Sequence, residues 1–130
     1  MSARNNMRPS NSVGGYRIYP SHPLDADANA RIDQNMAVFN DGMDRLNRAR
    51  ALAEGEAARI NGLNDNDQQV IRYRELMRTS GQLWQLALQK QHYLQHGGQA
   101  GPYSVNQLGE RMIQCALSWQ QWRQERDVQE

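Results

Sequence analysis

The sequence has only one cysteine, Cys115, among its 130 residues. A single thiol cannot form a disulfide within the chain and offers no cysteine-pair zinc motif, so cysteine usage fits a reducing compartment. No apolar run reaches the ~20 residues that a membrane-spanning helix needs. The opening stretch, MSARNNMRPSNSVGG, also lacks the apolar segment of a secretory signal. We therefore expect no membrane span and no signal peptide, and a location in a virion or in the cytoplasm of a bacterial host.

The sequence also lacks an excess of either charge. Its 15 basic and 14 acidic residues nearly cancel, which removes the overall field that drives non-specific binding to nucleic acids or membranes. Acidic residues are missing from the first 24 positions, where Arg4, Arg8 and Arg17 give a mild positive charge. Any basic surface must therefore be local.

Motifs with a defined chemistry are missing as well. The stretches VGGY and HGGQAG lack the lysine, the helix-opening serine or threonine and the preceding strand of a phosphate-binding loop. His92 and His96 have a spacing that can bind one metal ion, but no acid lies between them as in the zinc-protease motif. We interpret them as a surface pair at a helix end. The sequence predicts no catalytic residue, no metal site and no cofactor, and hence a protein that is not an enzyme.

Residues 1–24 differ in composition from the rest of the chain. They are rich in Ser, Asn, Gly and Pro and show no helical period, which predicts a flexible or extended N-terminal arm. Within the arm, the stretch YRIYP alternates aromatic and apolar side chains, a pattern that suits an extended segment lying along a neighbouring chain. We predict that Tyr16, Ile18 and Tyr19 contact a partner.

The remainder, residues 25–130, carries seven-residue apolar repeats that predict three helices, over about 27–62, 67–96 and 104–126. In the first helix, one repeat position holds Ile32, Phe39, Leu46, Ala53 and Ile60, and the other holds Met36, Met43, Arg50 and Ala57. In the central helix, the two positions hold Val70, Met77 and Trp84, and Tyr73, Ser80, Ala87 and Leu94. There we expect four further residues to widen the apolar stripe: Ile71, Leu76, Leu83 and Leu86.

The third helix contains Cys115 and two of the three tryptophans. Its apolar residues advance in steps of three or four: Val105, Leu108, Met112, Cys115, Trp119 and Trp122. This unbroken stripe predicts that Cys115 is a small buried hydrophobic residue and not a reactive thiol. Trp122 lies near the helix end, so we expect it to be less protected. Ser104 and Gln107 match a capping box that starts this helix.

These patterns predict an all-α fold, an elongated helical hairpin plus a third helix, which together form a three-helix, coiled-coil-like bundle. The first helix, at about 35 residues, is longer than the third, so part of the hairpin has no third helix to cover it. An uncovered apolar seam marks a partner site. Arg50 occupies a seam position, where its charge must be paired or exposed. We predict Arg50 and Trp122 as partner contacts.

From the uncovered seam and the lack of catalytic motifs we expect a non-enzymatic structural subunit of a larger assembly. A bacteriophage virion component (head, connector or tail) is preferred, because small arms that link subunits suit repetitive shells. The partners would be other protein subunits, in a homo- or hetero-oligomer, docked through the arm and the helical seam.

Two alternatives remain open. The first is a component, substrate or chaperone of a specialised bacterial secretion system, because an acid-free Ser/Asn-rich start resembles the unstructured export signals of such substrates. The second is a small nucleic-acid-binding regulatory protein. Its candidate contacts are Arg45, Arg48, Arg72 and Arg74. Nearby acids can pair with most of these arginines, which favours a solvated, ion-paired face over a nucleic-acid interface.

Overall fold

The computed structural model describes the backbone of residues 23–129 and the side chains of residues 32–127. Four helices follow in chain order: α1 (Pro23–Glu54), α2 (Ala57–Asn61), α3 (Gln68–His96) and α4 (Val105–Gln129). No β-strand occurs within residues 23–129, and the all-α prediction is confirmed. The predicted arm lies outside the described residues, except for Pro23 and Leu24, which belong to α1.

A break separates α1 from α2, where one helix over 27–62 was expected. Gly55 and Glu56 form a turn between the two helices. The amide of Gly55 still donates to the carbonyl of Ala51 at 3.3 Å, and helical bonding resumes with the amide of Ile60, which donates to Glu56 at 3.0 Å. Glycine has a low helix propensity, which makes an interruption at Gly55 inexpensive.

Capping residues mark the turns between the long helices, and one of them is the predicted capping box. The Asp67 carboxylate accepts from the Gln69 amide at 2.8 Å and starts α3. Gly97, with φ of 80°, ends α3 in a conformation that favours glycine. Ser104 and Gln107 then form the capping box: Gln107 Oε1 accepts from the Ser104 amide at 2.9 Å, and Ser104 Oγ accepts from the Gln107 amide at 3.1 Å. The two reversals make α3 antiparallel, and α4 parallel, to α1.

The most extensive contact of α1 is with α4 and not with α3, its neighbour in the chain. Two glycines lie at the closest approach. A Cβ atom on Gly109 would lie 2.7 Å from the backbone nitrogen of Phe39, and one on Gly42 would lie 2.6 Å from the carbonyl oxygen of Gly109. The first and central helices are antiparallel, as in the predicted hairpin. The hairpin is nevertheless the looser pairing, because no side chain separates α1 from α4 at the glycine contact.

The core follows the predicted repeat positions. The buried hydrophobic side chains described in α4 are the six predicted ones, Val105, Leu108, Met112, Cys115, Trp119 and Trp122. The buried repeat residues of the first predicted helix are Phe39, Leu46, Ala53 and Ile60, and those of α3 are Val70, Tyr73, Ser80, Ala87 and Leu94, with Leu76 and Leu83 beside them. Ile71 is 40% exposed, so its predicted place in the apolar stripe is wrong.

Candidate functional site

A buried polar contact joins α3 to α4 around Cys115. Ser80 Oγ accepts from Trp119 Nε1 at 2.8 Å and donates to the carbonyl of Leu76 at 2.6 Å, and the Cys115 sulfur lies 3.3 Å from the same oxygen. Burial raises the pKa of the Cys115 thiol. A buried thiol with a raised pKa keeps its proton at neutral pH and is a poor nucleophile. Cys115 is buried, as predicted.

Three aromatic rings pack between the helices at the α2 end of the bundle. The ring of Tyr73 lies 5.5 Å from those of Trp119 and Trp122, and the two indoles are 5.6 Å apart. The Tyr73 hydroxyl donates to the carbonyl of Ala53 at 2.8 Å, and Trp122 Nε1 donates to that of Gln69 at 3.0 Å. Trp122 is only 2% exposed. The expectation that it is less protected is therefore wrong, and its indole has no free surface for the predicted partner contact.

A cluster of charges connects the break after α1 to the end of α4. The Glu56 carboxylate accepts from Arg59 Nε at 2.9 Å and from Arg126, and Arg126 also binds Asp127 at 2.7 Å. The hydrogen bond from Arg126 lowers the pKa of Glu56, and the same bond raises the pKa of Arg126. Sequence reasoning missed this cluster because Glu56 and Arg126 are 70 positions apart. Glu56 also lies off the repeat, whereas Arg126 continues the repeat of Val105, Met112 and Trp119 as a charged residue.

The only lysine, Lys90, is buried in α3. Burial lowers the pKa of its ammonium group. The ammonium nitrogen lies 5.2 Å from the ring centroid of Tyr93, and such contacts between a cation and an aromatic face are attractive. No sequence signal singled out Lys90 as a buried residue.

The predicted partner contact Arg50 lies on the α1 side that faces α3. Its side chain is half-buried, and the guanidinium carbon lies 5.4 Å from the ring centroid of the half-buried Trp84. The contact between Arg50 and Trp84 lies in the looser interface, the one between α1 and α3. The other predicted contacts, Tyr16, Ile18 and Tyr19, lie outside the described residues.

The four arginines predicted as nucleic-acid contacts each bind an acid. The pairs are Arg45 with Asp41 at 2.9 Å, Arg48 with Asp44 at 2.7 Å, Arg72 with Glu75 at 3.5 Å and Arg74 with Asp65 at 2.9 Å. Arg45 and Arg48 line a groove between α1 and α4, whereas Arg72 lines a groove between α3 and α4, on the other side of α4. The predicted basic residues are therefore ion-paired and do not form one face.

His92 and His96 lie near the end of α3, with exposed side chains and ring centroids 4.9 Å apart. Within the described residues, no group of three or more His, Cys, Asp or Glu side chains could hold a metal ion. The pair lies on the surface, as we interpreted it from the sequence.

The two grooves beside α4 differ in size and lining. The groove between α3 and α4, of about 740 Å³, is lined by leucines and by polar side chains, and Arg111 stacks 4.3 Å from the Tyr103 ring centroid at one end. The groove between α1 and α4 is smaller, at about 200 Å³. Its lining residues are Arg45, Arg48, Ala49, Leu52, Ala116, Leu117, Gln120 and Arg123.

Comparisons with known proteins add no family to this description. Scans against protein-family models, curated proteins and solved structures found no match to the chain. Over residues 23–129, the helices fall short of the combined length and apolar character that crossing a bilayer requires.

Proposed function

We propose that the chain is a non-enzymatic helical subunit of a larger protein assembly, and that this assembly is a bacteriophage virion, in which the chain belongs to the head, connector or tail. Its partners are other protein subunits, bound through the N-terminal arm and the helical seam. The observation that carries the proposal is the mismatch in length between α1 and α4.

The mismatch follows from the glycine contact. Gly42 lies in the second half of α1, whereas Gly109 lies near the start of α4. Because the two helices run parallel, about 15 residues of α1, or roughly 22 Å, precede the level at which α4 begins. Ile32 and Met36 lie on this part of α1 and are partly exposed. Apolar positions that α4 leaves uncovered thus lie on the part of α1 that follows Tyr16, Ile18 and Tyr19 in the sequence.

The use of the interior polar groups supports a structural role. Buried donors on Tyr73, Trp119 and Trp122 each bond to a group on another helix. The Cys115 thiol, with its raised pKa, packs against Ser80. These groups hold helices together, and a reactive group needs instead an open, polar surrounding.

The experiment that tests the proposal is native mass spectrometry of the full chain and of a chain that begins at Pro23. We expect the full chain to form a defined oligomer or a complex with co-purified proteins. The shortened chain should keep its helical circular dichroism and melting temperature but lose that association. A full-length variant with Tyr16→Ser, Ile18→Ser and Tyr19→Ser is the matched control, because it keeps the arm and removes only its apolar side chains.

Two results would contradict the proposal. A full chain that stays monomeric, with no bound protein, would remove the assembly role. A melting temperature that falls by many degrees on shortening would show that the arm packs on its own core. The virion context has a separate test, in which a reporter is fused to residues 1–24. The reporter should not be exported, and its export by a specialised secretion system would contradict the virion context.

A further inference from the structure

We propose that the groove between α1 and α4 binds an acidic amphipathic helix of a partner protein. A carboxylate of that helix pairs with Arg123, and its apolar side chains cover Leu52 and Leu117. This inference rests on the proposed function, since it specifies the chemistry of one partner of the assembly.

The first observation is an unsatisfied donor. Arg123 Nη1 is buried and has no hydrogen-bond partner among the residues that the structure describes. Arg123 belongs to α4 and lines the groove. A buried donor without an acceptor is unfavourable, and bonds between a guanidinium and a carboxylate are among the strongest that satisfy one. Arg123 Nη1 therefore lacks an acceptor within the chain. The Arg123 side chain is half-buried and lines the groove, so its guanidinium can turn toward a carboxylate that enters there.

The second observation is that two leucines of the groove are exposed. Leu52 of α1 is 54% exposed and Leu117 of α4 is 44% exposed, and both line the groove. Ala49 and Ala116 also line the groove, and each contributes only a methyl group to its surface. A third helix laid along this face would bury both leucines, as apolar stripes do in helical bundles. The groove, at about 200 Å³, is smaller than the pockets that enclose small-molecule ligands.

The third observation is the charge of the three arginines that line the groove. Arg45 and Arg48 stand on the same groove, but each is bound to an acid on its own helix, Asp41 or Asp44. Among the described residues, Arg123 is thus the arginine of this groove that forms no ion pair with an acid. An acidic partner complements it. Two copies of this chain that met through this same face would oppose arginine with arginine, which disfavours a symmetric dimer there.

The probe for the test is a fluorescein-labelled helical peptide of about three heptads, with leucine at the a and d positions and glutamate at e and g. Its twin carries lysine in place of glutamate. Fluorescence anisotropy with the full chain should show saturable binding of the glutamate peptide and at least about tenfold weaker binding of the lysine twin. Arg123→Gln and Leu117→Ser should each weaken binding of the glutamate peptide, by about tenfold for Arg123→Gln.

The matched control is Arg78→Gln, which removes an exposed arginine of α3 that does not line the groove. It should leave the affinity unchanged. Equal binding of the two peptides, no saturable binding of the glutamate peptide, or an equal loss with Arg78→Gln would overturn the proposal.

A second measurement separates partner binding from folding. Arg123→Met removes the unsatisfied donor but keeps the aliphatic contacts, so it should raise the melting temperature of the free chain while it weakens peptide binding. A lower melting temperature would show that Arg123 is already satisfied in the free chain, and would overturn the proposal.

The two proposals fail separately. Peptide results against the groove, together with an oligomer in native mass spectrometry, would end this inference and leave the proposed function standing. If the chain binds the peptide but native mass spectrometry shows only monomers without bound protein, this inference stands and the proposed function is wrong.

Discussion

At the level of single residues, Ser80 shows how a polar side chain occupies a seam position. Its oxygen accepts from Trp119, donates to Leu76 and contacts the Cys115 sulfur, so the buried hydroxyl is fully engaged. A buried hydroxyl is tolerated when its bonds are made, and here they also orient an indole. The serine that weakens the apolar repeat in the sequence therefore fixes how α4 sits on α3.

The reactivity of Cys115 is the first prediction at this scale. In native buffer, a thiol reagent should label Cys115 more slowly than in denaturant by a factor on the order of 100 or more, because the reagent must wait for the chain to open. The raised pKa lowers the thiolate fraction further. The rates can be followed by the absorbance of the released chromophore. Rapid labelling of the native chain would contradict the buried position.

A pH dependence follows from Glu56. Its pKa is lower in the folded chain than its ordinary value of 4.5, chiefly through the bond from Arg126. The unfolded chain therefore binds the proton more tightly. The stability that Glu56 contributes is present above pH ~4.5 and is lost as the pH falls through the lower, folded pKa. Thermal melts at pH 7 and pH 3 measure this loss.

Glu56→Gln should reduce the difference between those two melting temperatures. The exposed Glu54, two positions earlier, provides the control, because Glu54→Gln should leave most of the difference in place. Equal effects of the two variants would mean that the Arg126 bond does not stabilise the folded chain.

At the level of elements, the contact between α1 and α4 depends on two glycines. A methyl group at Gly109 would meet the backbone of Val38 and Phe39 at 2.7 Å, and a backbone cannot rotate away as a side chain can. Gly109→Ala should therefore force the helices apart and destabilise the chain by about 1–3 kcal/mol. Urea denaturation followed by circular dichroism gives the free energy of unfolding.

The matched control is Gly81 of α3, where an added Cβ atom would meet nothing within 4 Å. Gly81→Ala should stabilise the chain by about 0.5–1 kcal/mol, because alanine loses less backbone entropy in a helix. If Gly109→Ala were also stabilising, the close approach of α1 and α4 would be refuted.

At the level of the whole molecule, the core requires α4. Its buried stripe includes Trp119 and Trp122, the largest fully buried side chains, and it packs against both α1 and α3. A chain that ends at Gly101 should therefore show no cooperative thermal transition by circular dichroism. A chain that ends at Asp127 retains the bond to Arg126 and should melt like the full chain. A cooperative transition without α4 would mean that the antiparallel pair of α1 and α3 is stable alone.

The sequence by itself determined the helical class, the turns between the long helices and most of the inward-facing residues of this protein. Spacing of three or four residues is a local property, and it fixes which side of a helix is apolar before any partner is chosen. The buried stripe from Val105 to Trp122 and the capping box at Ser104 were predictable for this reason. The interruption at Gly55 was not predictable. Glycine lowers helix stability by a similar amount wherever it stands in a helix, and Gly42 leaves α1 intact.

Only the tertiary structure decided which helices approach most closely and which surface residues line the groove between α1 and α4. Gly42 and Gly109 carry no side chain to signal that they face each other, and Glu56 meets Arg126 across 70 positions. Leu52, Leu117 and Arg123 lie off the repeat, so the sequence alone predicts scattered surface residues. The packing of α1 against α4 brings them to one groove. Local spacing fixes the faces of single helices, but contacts between distant residues depend on how closely two backbones can pack, which is a property of the pair.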